Sequence, residues 1–171
     1  PYAETDPVAP LGVYGRSKRE GELAVAEANP DHMIFRTAWV YSPYGANFVK
    51  TMLRLAGDRE VVNVVADQTG SPTSAQDLAA AILVACRHVL TGPQDSSWRG
   101  TFHLVAQGTA TWADFAAEIF RQSAERSGPS ARVEPIATSQ YPTRATRPAY
   151  SVLDTSKFEA TFSHRLPVWQ D

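Results

Sequence analysis

The sequence predicts an α/β fold with a parallel sheet, and three stretches carry that prediction. Residues 32–41 form a β-branched and aromatic run, His32-Met33-Ile34-Phe35-Arg36-Thr37-Ala38-Trp39-Val40-Tyr41. It alternates too little for a strand with one wet face, the pattern of a strand covered on both sides. Val61 to Val65 reads as a second short buried strand. Between 75 and 90 the apolar residues Leu78, Ile82, Ala85 and Val89 recur at spacings of four, three and four, which marks an amphipathic helix.

In chain order, residues 1–13 are rich in Pro and Gly and read as an ordered loop. A first helix is predicted over 13–27 and is stopped by Asn29-Pro30-Asp31, because Pro30 disfavours helical geometry at the residue before it. After the strand at 32–41, Ser42-Pro43-Tyr44-Gly45 makes a turn, and Asn47 is placed to cap a short helix reaching Ala56. Beyond the strand at 61–65, Gly70 and Pro72 are expected to exclude regular structure from the polar loop 67–73. The helix at 75–90 leads into a polar connector at 91–99, where a nick would be tolerated. A third strand is expected at 100–105. Thr111 and Asp114 show a capping-box pattern and open a helix to 126, ended by Gly128-Pro129-Ser130. Residues 132–136 read as an edge strand, since Pro135 has no N–H to give a central ladder. A Pro-, Arg- and Thr-rich loop fills 138–150, and Asp154 caps a last short helix to Phe162.

Composition narrows the function classes. The 171 residues suffice for one unit with a real core. A net charge of −2 offers no electrostatic case for nucleic acid or an anionic membrane surface. The single Cys86 excludes an internal disulfide, and its place four residues after Ile82 in an alanine-rich helix predicts a buried, inert thiol. With no signal peptide and no apolar run near the roughly 18 residues that span a bilayer, a cytoplasmic location is expected. His32, His88, His103 and His164 are scattered without ligand spacing, so no metal site is indicated.

The chemistry-bearing stretch is Tyr14-Gly15-Arg16-Ser17-Lys18. Tyr14 and Lys18 are four apart, so on a helix both project from one face. A phenol titrates near pH 10 unperturbed, and a neighbouring ammonium lowers that value toward the working range, which makes an acid/base pair. The bland alternative is a solvated Lys on an amphipathic helix. Gly12, Gly15 and Gly21 do not make a phosphate cradle, because no apolar strand precedes them and they fall within the Tyr/Lys helix.

The block from Tyr14 to Glu22, with Arg36-Thr37-Ala38-Trp39-Val40-Tyr41-Ser42, Gly45-Ala46-Asn47-Phe48-Val49, Asp67-Gln68-Thr69-Gly70-Ser71-Pro72-Thr73 and Arg147-Pro148-Ala149-Tyr150-Ser151, resembles the extended short-chain dehydrogenase/reductases, and within them the dTDP-4-dehydrorhamnose reductases. The resemblance implies the C-terminal part of a doubly wound, Rossmann-like parallel sheet plus the small substrate-binding lobe. The family's first half, with the glycine-rich dinucleotide loop and the catalytic Ser/Thr, has no counterpart here, and the start at Pro1 fits an excised piece.

For the intact protein the resemblance implies NADPH- or NADH-dependent reduction of dTDP-4-dehydro-L-rhamnose to dTDP-L-rhamnose for surface polysaccharide. Tyr14 would donate the proton, and Lys18 would hold the nicotinamide ribose. For the nucleotide sugar it implies Trp39, Asn47, Gln68 and Arg147. Each of these has a plainer reading: a core aromatic, a helix cap, a tight polar connection and a solvated arginine, Arg144 sharing the last. A related nucleotide-sugar epimerase or dehydratase, or a non-catalytic subunit on the same scaffold, also fits the residues, and the oligomeric state, a homodimer included, stays open. Because the pyrophosphate cradle is missing, the purified 171-residue chain should not oxidise NADPH in the presence of the keto sugar; measurable turnover by that chain would overturn the expectation.

Overall fold

Four short strand pairs organise the computed structural model, which describes residues 1–92, 96–143 and 145–171. Helix α1 (Val13–Ala28) matches the predicted span and buries none of its residues. The run at 32–41 forms two strands, β1 (Met33–Arg36) and β2 (Val40–Tyr41). The break falls at Trp39, whose φ of 49° lies in the left-handed region, where a bulky residue sits only under tertiary constraint. All four residues of β1 are half-buried rather than covered on both faces: Met33 and Phe35 pack against the cluster of Phe102 and Phe158, while Ile34 and Arg36 alternate to the other face.

Helix α2 (Phe48–Asp58) begins at its predicted cap and outlasts the predicted end by two residues. Strand β3 (Val61–Val65) turns Val62 and Val64 inward and leaves Val61 and Asn63 exposed, so one of its faces is wet. The loop at 67–73 is more regular than expected. It contains β4 (Thr69–Gly70) and the start of β5 (Thr73–Ser74), since Gly70 is compatible with a two-residue antiparallel ladder to β7 (Ala110–Thr111). Helix α3 (Ala75–Thr91) follows, capped by the Ser74 hydroxyl. Of the connector at 91–99, residues 93–95 lie outside the described residues. Strand β6 (Gly100–His103) stops two residues short of the predicted end. Helix α4 (Trp112–Glu125) opens with the predicted capping box, Thr111 Oγ1 accepting from the Asp114 N–H at 3.1 Å and the Asp114 carboxylate from the Thr111 N–H at 2.9 Å. Strand β8 (Arg132–Ile136) is followed by a 3-10 turn, Thr138–Gln140, and then α5 (Ser156–Phe162), where Asp154 accepts from the Ser156 N–H at 2.8 Å.

The pairs β1–β6, β2–β5 and β3–β8 are parallel, with Phe35 opposite Phe102 and Val64 opposite Pro135. Two apolar clusters result. Phe102, Leu104, Phe158, Phe162 and Leu166 pack with Ala81 and Ala85 of α3 on the β1–β6 side, while Met52, Val62, Val64, Phe115, Ile119 and Phe120 join α2, β3 and α4. The buried stripe of α3 therefore runs through Ala81 and Ala85, leaving Ile82 at 38% exposure. Cys86 is exposed, contrary to the expectation of a buried thiol. Successive helical residues are about 100° apart, so burying Ala85 turns its neighbour outward.

The N-terminal loop is held down by this core. Tyr2 bridges to Leu153, and the ring nitrogen Nδ1 of His103 lies 3.0 Å from the Tyr2 carbonyl. The Glu4 carboxylate accepts the His103 backbone N–H at 2.8 Å. Burial holds the His103 imidazole below its ordinary range, despite the opposing pull of Glu4. With the folded pKa lowered, the unfolded chain takes up the proton first, so this stability is complete above roughly pH 6.5 and is lost as pH falls through the folded value. Thermal unfolding followed from pH 8 to pH 5 should show a falling midpoint that is flattened in His103→Gln.

Candidate functional site

A candidate site is the cavity of about 670 Å³ between α2, β3, α4 and the 3-10 turn. Its walls are Phe48, Thr51, Met52 and Leu55 of α2, the backbone and side chains of β3, and Trp112 at the start of α4. Gln68, Thr138, Gln140 and Tyr141 supply polar groups. Among the described residues, the charged groups in its lining are Arg54, Arg59 and Arg147, and none is a carboxylate. None of the three has a hydrogen-bond or ion-pair partner among the described residues. An anion entering here meets cationic forks that no other described residue neutralises.

Gln68 is fixed in place. Trp112 Nε1–H donates to its Oε1 at 3.3 Å, and its Nε2–H donates to Thr138 Oγ1 at 3.0 Å. Thr138 in turn donates its hydroxyl to Asp67 at 2.5 Å and its backbone N–H to the same carboxylate at 2.9 Å. Those two donors hold the Asp67 carboxyl below the usual carboxylate range. The relay locks the amide plane of Gln68 and leaves it one free N–H and one free lone pair.

Trp39 lies beside this wall and does not line the cavity. Its indole stacks on Trp112, ring centroids 3.6 Å apart and planes 8° apart, so one of its faces is covered. Trp112, the first residue of α4, is thus part of the wall. Asn47 performs the cap function: its side-chain oxygen accepts from the Lys50 N–H at 3.2 Å and its amide donates to the Ser42 carbonyl at 2.6 Å. Tyr14 and Lys18 stand away from the cavity lining on α1, with Tyr14 76% exposed and Lys18 Nζ 5.5 Å from the phenol centroid. The structure therefore brings Gln68 and Arg147 together, sets Trp39 behind Trp112, and leaves the Tyr/Lys pair on a separate element. Arg144 lies outside the described residues. Arg54 and Arg59 escaped the sequence reading because their spacing of five on and after α2 has no signature of its own.

A family model described as the RmlD substrate binding domain matches residues 1–171. The chain belongs to that family. A dTDP-4-dehydrorhamnose reductase of Sinorhizobium fredii is 51% identical over 171 residues, all of this chain and 57% of that protein. Among solved structures, a dTDP-4-dehydrorhamnose reductase ortholog from Clostridium acetobutylicum superposes with a TM-score of 0.89 at 39% identity, covering 99% of this chain and 56% of that one. The Bacillus anthracis dTDP-4-dehydrorhamnose reductase, in complex with NADP, gives 0.87 at 36% identity, covering 99% and 56%. This RmlD substrate-binding domain thus spans little more than half the length of the relatives it matches, and its α/β fold is theirs.

Within this RmlD-type domain, the packing of Trp39 rests on Gly70. A Cβ at residue 70 would lie 2.5 Å from Trp39 Cε2, 2.7 Å from its Nε1 and 2.8 Å from Ser151 Oγ. Gly70→Ala must displace the indole, and the overpacking costs about 1–3 kcal/mol. The expected result is a lower thermal midpoint with altered tryptophan fluorescence; an unchanged emission spectrum would show that Trp39 is not held by this contact.

Proposed function

We propose that this domain supplies the sugar-nucleotide site and the Tyr/Lys pair of an enzyme that reduces dTDP-4-dehydro-L-rhamnose to dTDP-L-rhamnose with NADPH or NADH. The observation that carries the reading is the cavity with three arginines that, among the described residues, have no partner and no carboxylate beside them in the lining, set against the Trp39–Trp112 stack. Arg147, with Arg54 and Arg59, suits the diphosphate; Gln68, held by Trp112 and Thr138, suits a polar edge of the nucleotide; the stacked Trp39–Trp112 pair suits the apolar face of a sugar. The first turn of α2, opened by Asn47, adds free backbone N–H groups beside the same cavity.

Tyr14 hydroxyl gives its proton to the sugar carbonyl oxygen as that oxygen gains negative charge, and Lys18 stabilises the developing charge on the phenol. A nicotinamide cofactor, its ribose held by Lys18, would supply the hydride. The residues here suit only the nicotinamide-riboside end of such a cofactor. Gly12 precedes the first turn of α1, Gly15 packs on Pro10 and Gly21 lies inside the helix, so none frames a pyrophosphate. A homodimer in the cytoplasm belongs to the same reading, and a family relative that carries NADP supports the choice of cofactor.

Calorimetric titration of the 171-residue chain with dTDP tests the sugar-nucleotide site directly. The nucleotide should bind, and Arg147→Ala should weaken it about tenfold or more, since a hydrogen bond to a charged group contributes about 1.5–3 kcal/mol. No binding by the unaltered chain, or equal binding by the variant, would remove the basis of the assignment.

A further inference from the structure

Tyr14, Lys18 and Glu22 follow one another at spacings of four along α1, so a single stripe of the helix carries a phenol, an ammonium and a carboxylate. No residue of α1 is buried. Apolar packing within the chain therefore does not set the rotation of the helix, and a roll by one residue would turn the stripe by about 100°.

A charged clamp ties the helix to β1 instead. Arg36, the last residue of β1, donates from Nε to Glu22 Oε1 at 2.7 Å and from Nη2 to Glu22 Oε2 at 2.6 Å. Arg19 adds a hydrogen bond at 3.1 Å to the same carboxylate. Two parallel bonds between planar groups fix direction as well as distance. The side chains are only 21% and 15% exposed, so solvent screens them weakly. The Arg36 hydrogen bond holds the Glu22 carboxyl below its ordinary range, so it stays ionised at neutrality. Arg36 stands three residues before Trp39 on the same segment, which joins the clamp to the sugar-side wall.

We propose that the Glu22–Arg36 pair is a positioning device that sets the rotation of α1, so that Tyr14 and Lys18 meet the sugar carbonyl held at the Trp39 end of β1. This rests on the reading of Tyr14 and Lys18 as the reacting pair. The clamp touches neither substrate nor cofactor; it acts through the stripe it terminates.

In the full-length reductase carrying this chain, Glu22→Gln and Arg36→Lys should each lower kcat about a hundredfold, the cost of roughly an ångström of misplacement, with KM for the nucleotide sugar unchanged. The exchanged variant Glu22→Arg with Arg36→Glu should recover part of that kcat. In the 171-residue chain, Glu22→Gln should speed amide exchange across residues 13–22 while α4 keeps its protection. An unchanged kcat in both single variants overturns the proposal, and so does a loss of α4 protection equal to that of α1, which marks general destabilisation. Tyr14→Phe separates the two claims. Full activity there overturns the proton-donor reading and this proposal together, whereas abolished activity there beside an unchanged kcat in Glu22→Gln overturns the positioning role alone.

Discussion

The left-handed turn at Trp39 is the constraint around which this structure is arranged. It ends one parallel pair, β1 with β6, and starts another, β2 with β5, within four residues. The same turn swings the indole onto Trp112, and the stack joins the β1–β6 side of the molecule to the lobe formed by α2, β3 and α4. A conformation of this kind costs on the order of 1–3 kcal/mol and persists only where its surroundings over-determine it. Here the surroundings are Gly70, which lacks the Cβ that would collide with the ring, and Phe48 and Phe115, which pack the far side of Trp112.

Local chemistry was legible in the sequence where it was self-contained. The caps at Asn47 and Thr111, the apolar content of β3 and the extent of α1 and α3 follow from residues within a few positions of each other. What the pattern concealed depended on distant partners. The division of the run at 32–41 needed the Trp39–Trp112 contact; the pairing of Thr69–Gly70 needed Ala110–Thr111; and the outward turn of Cys86 needed the knowledge that Ala81 and Ala85, rather than Ile82, face Phe102 and Phe158. The site shows the same division. Gln68 and Arg147 emerged from motif blocks and share the cavity, whereas Arg54, Arg59 and Thr138 joined it by folding.

Charge is distributed unevenly between the two halves of the proposed site. On α1 the Glu22 carboxylate is already satisfied by Arg36 and Arg19, and Lys18 stands beside the phenol with no carboxylate partner among the described residues. At the cavity the arginines are the unsatisfied groups, while the nearby Asp67 is occupied by Thr138. Cations thus stand ready on both sides of the Trp39 segment, and the carboxylates near them are spent on fixing protein geometry. That arrangement favours a ligand that brings its own negative charge, together with an intermediate in which more develops.

The edge strand β8 has a consequence for how copies of this chain can meet. Glu60 O accepts from the Arg132 N–H and Ile136 O from the Ala66 N–H, so the even-numbered residues of β8 face β3 and the odd-numbered ones face away. Pro135 is therefore a missing rung on the outward side, and only Val133 offers an N–H there between Arg132 and Ile136. With Arg132 and Glu134 adding charge along the same strand, a second copy cannot extend this sheet by a regular ladder. Self-association through open-ended strand addition is closed off at this edge.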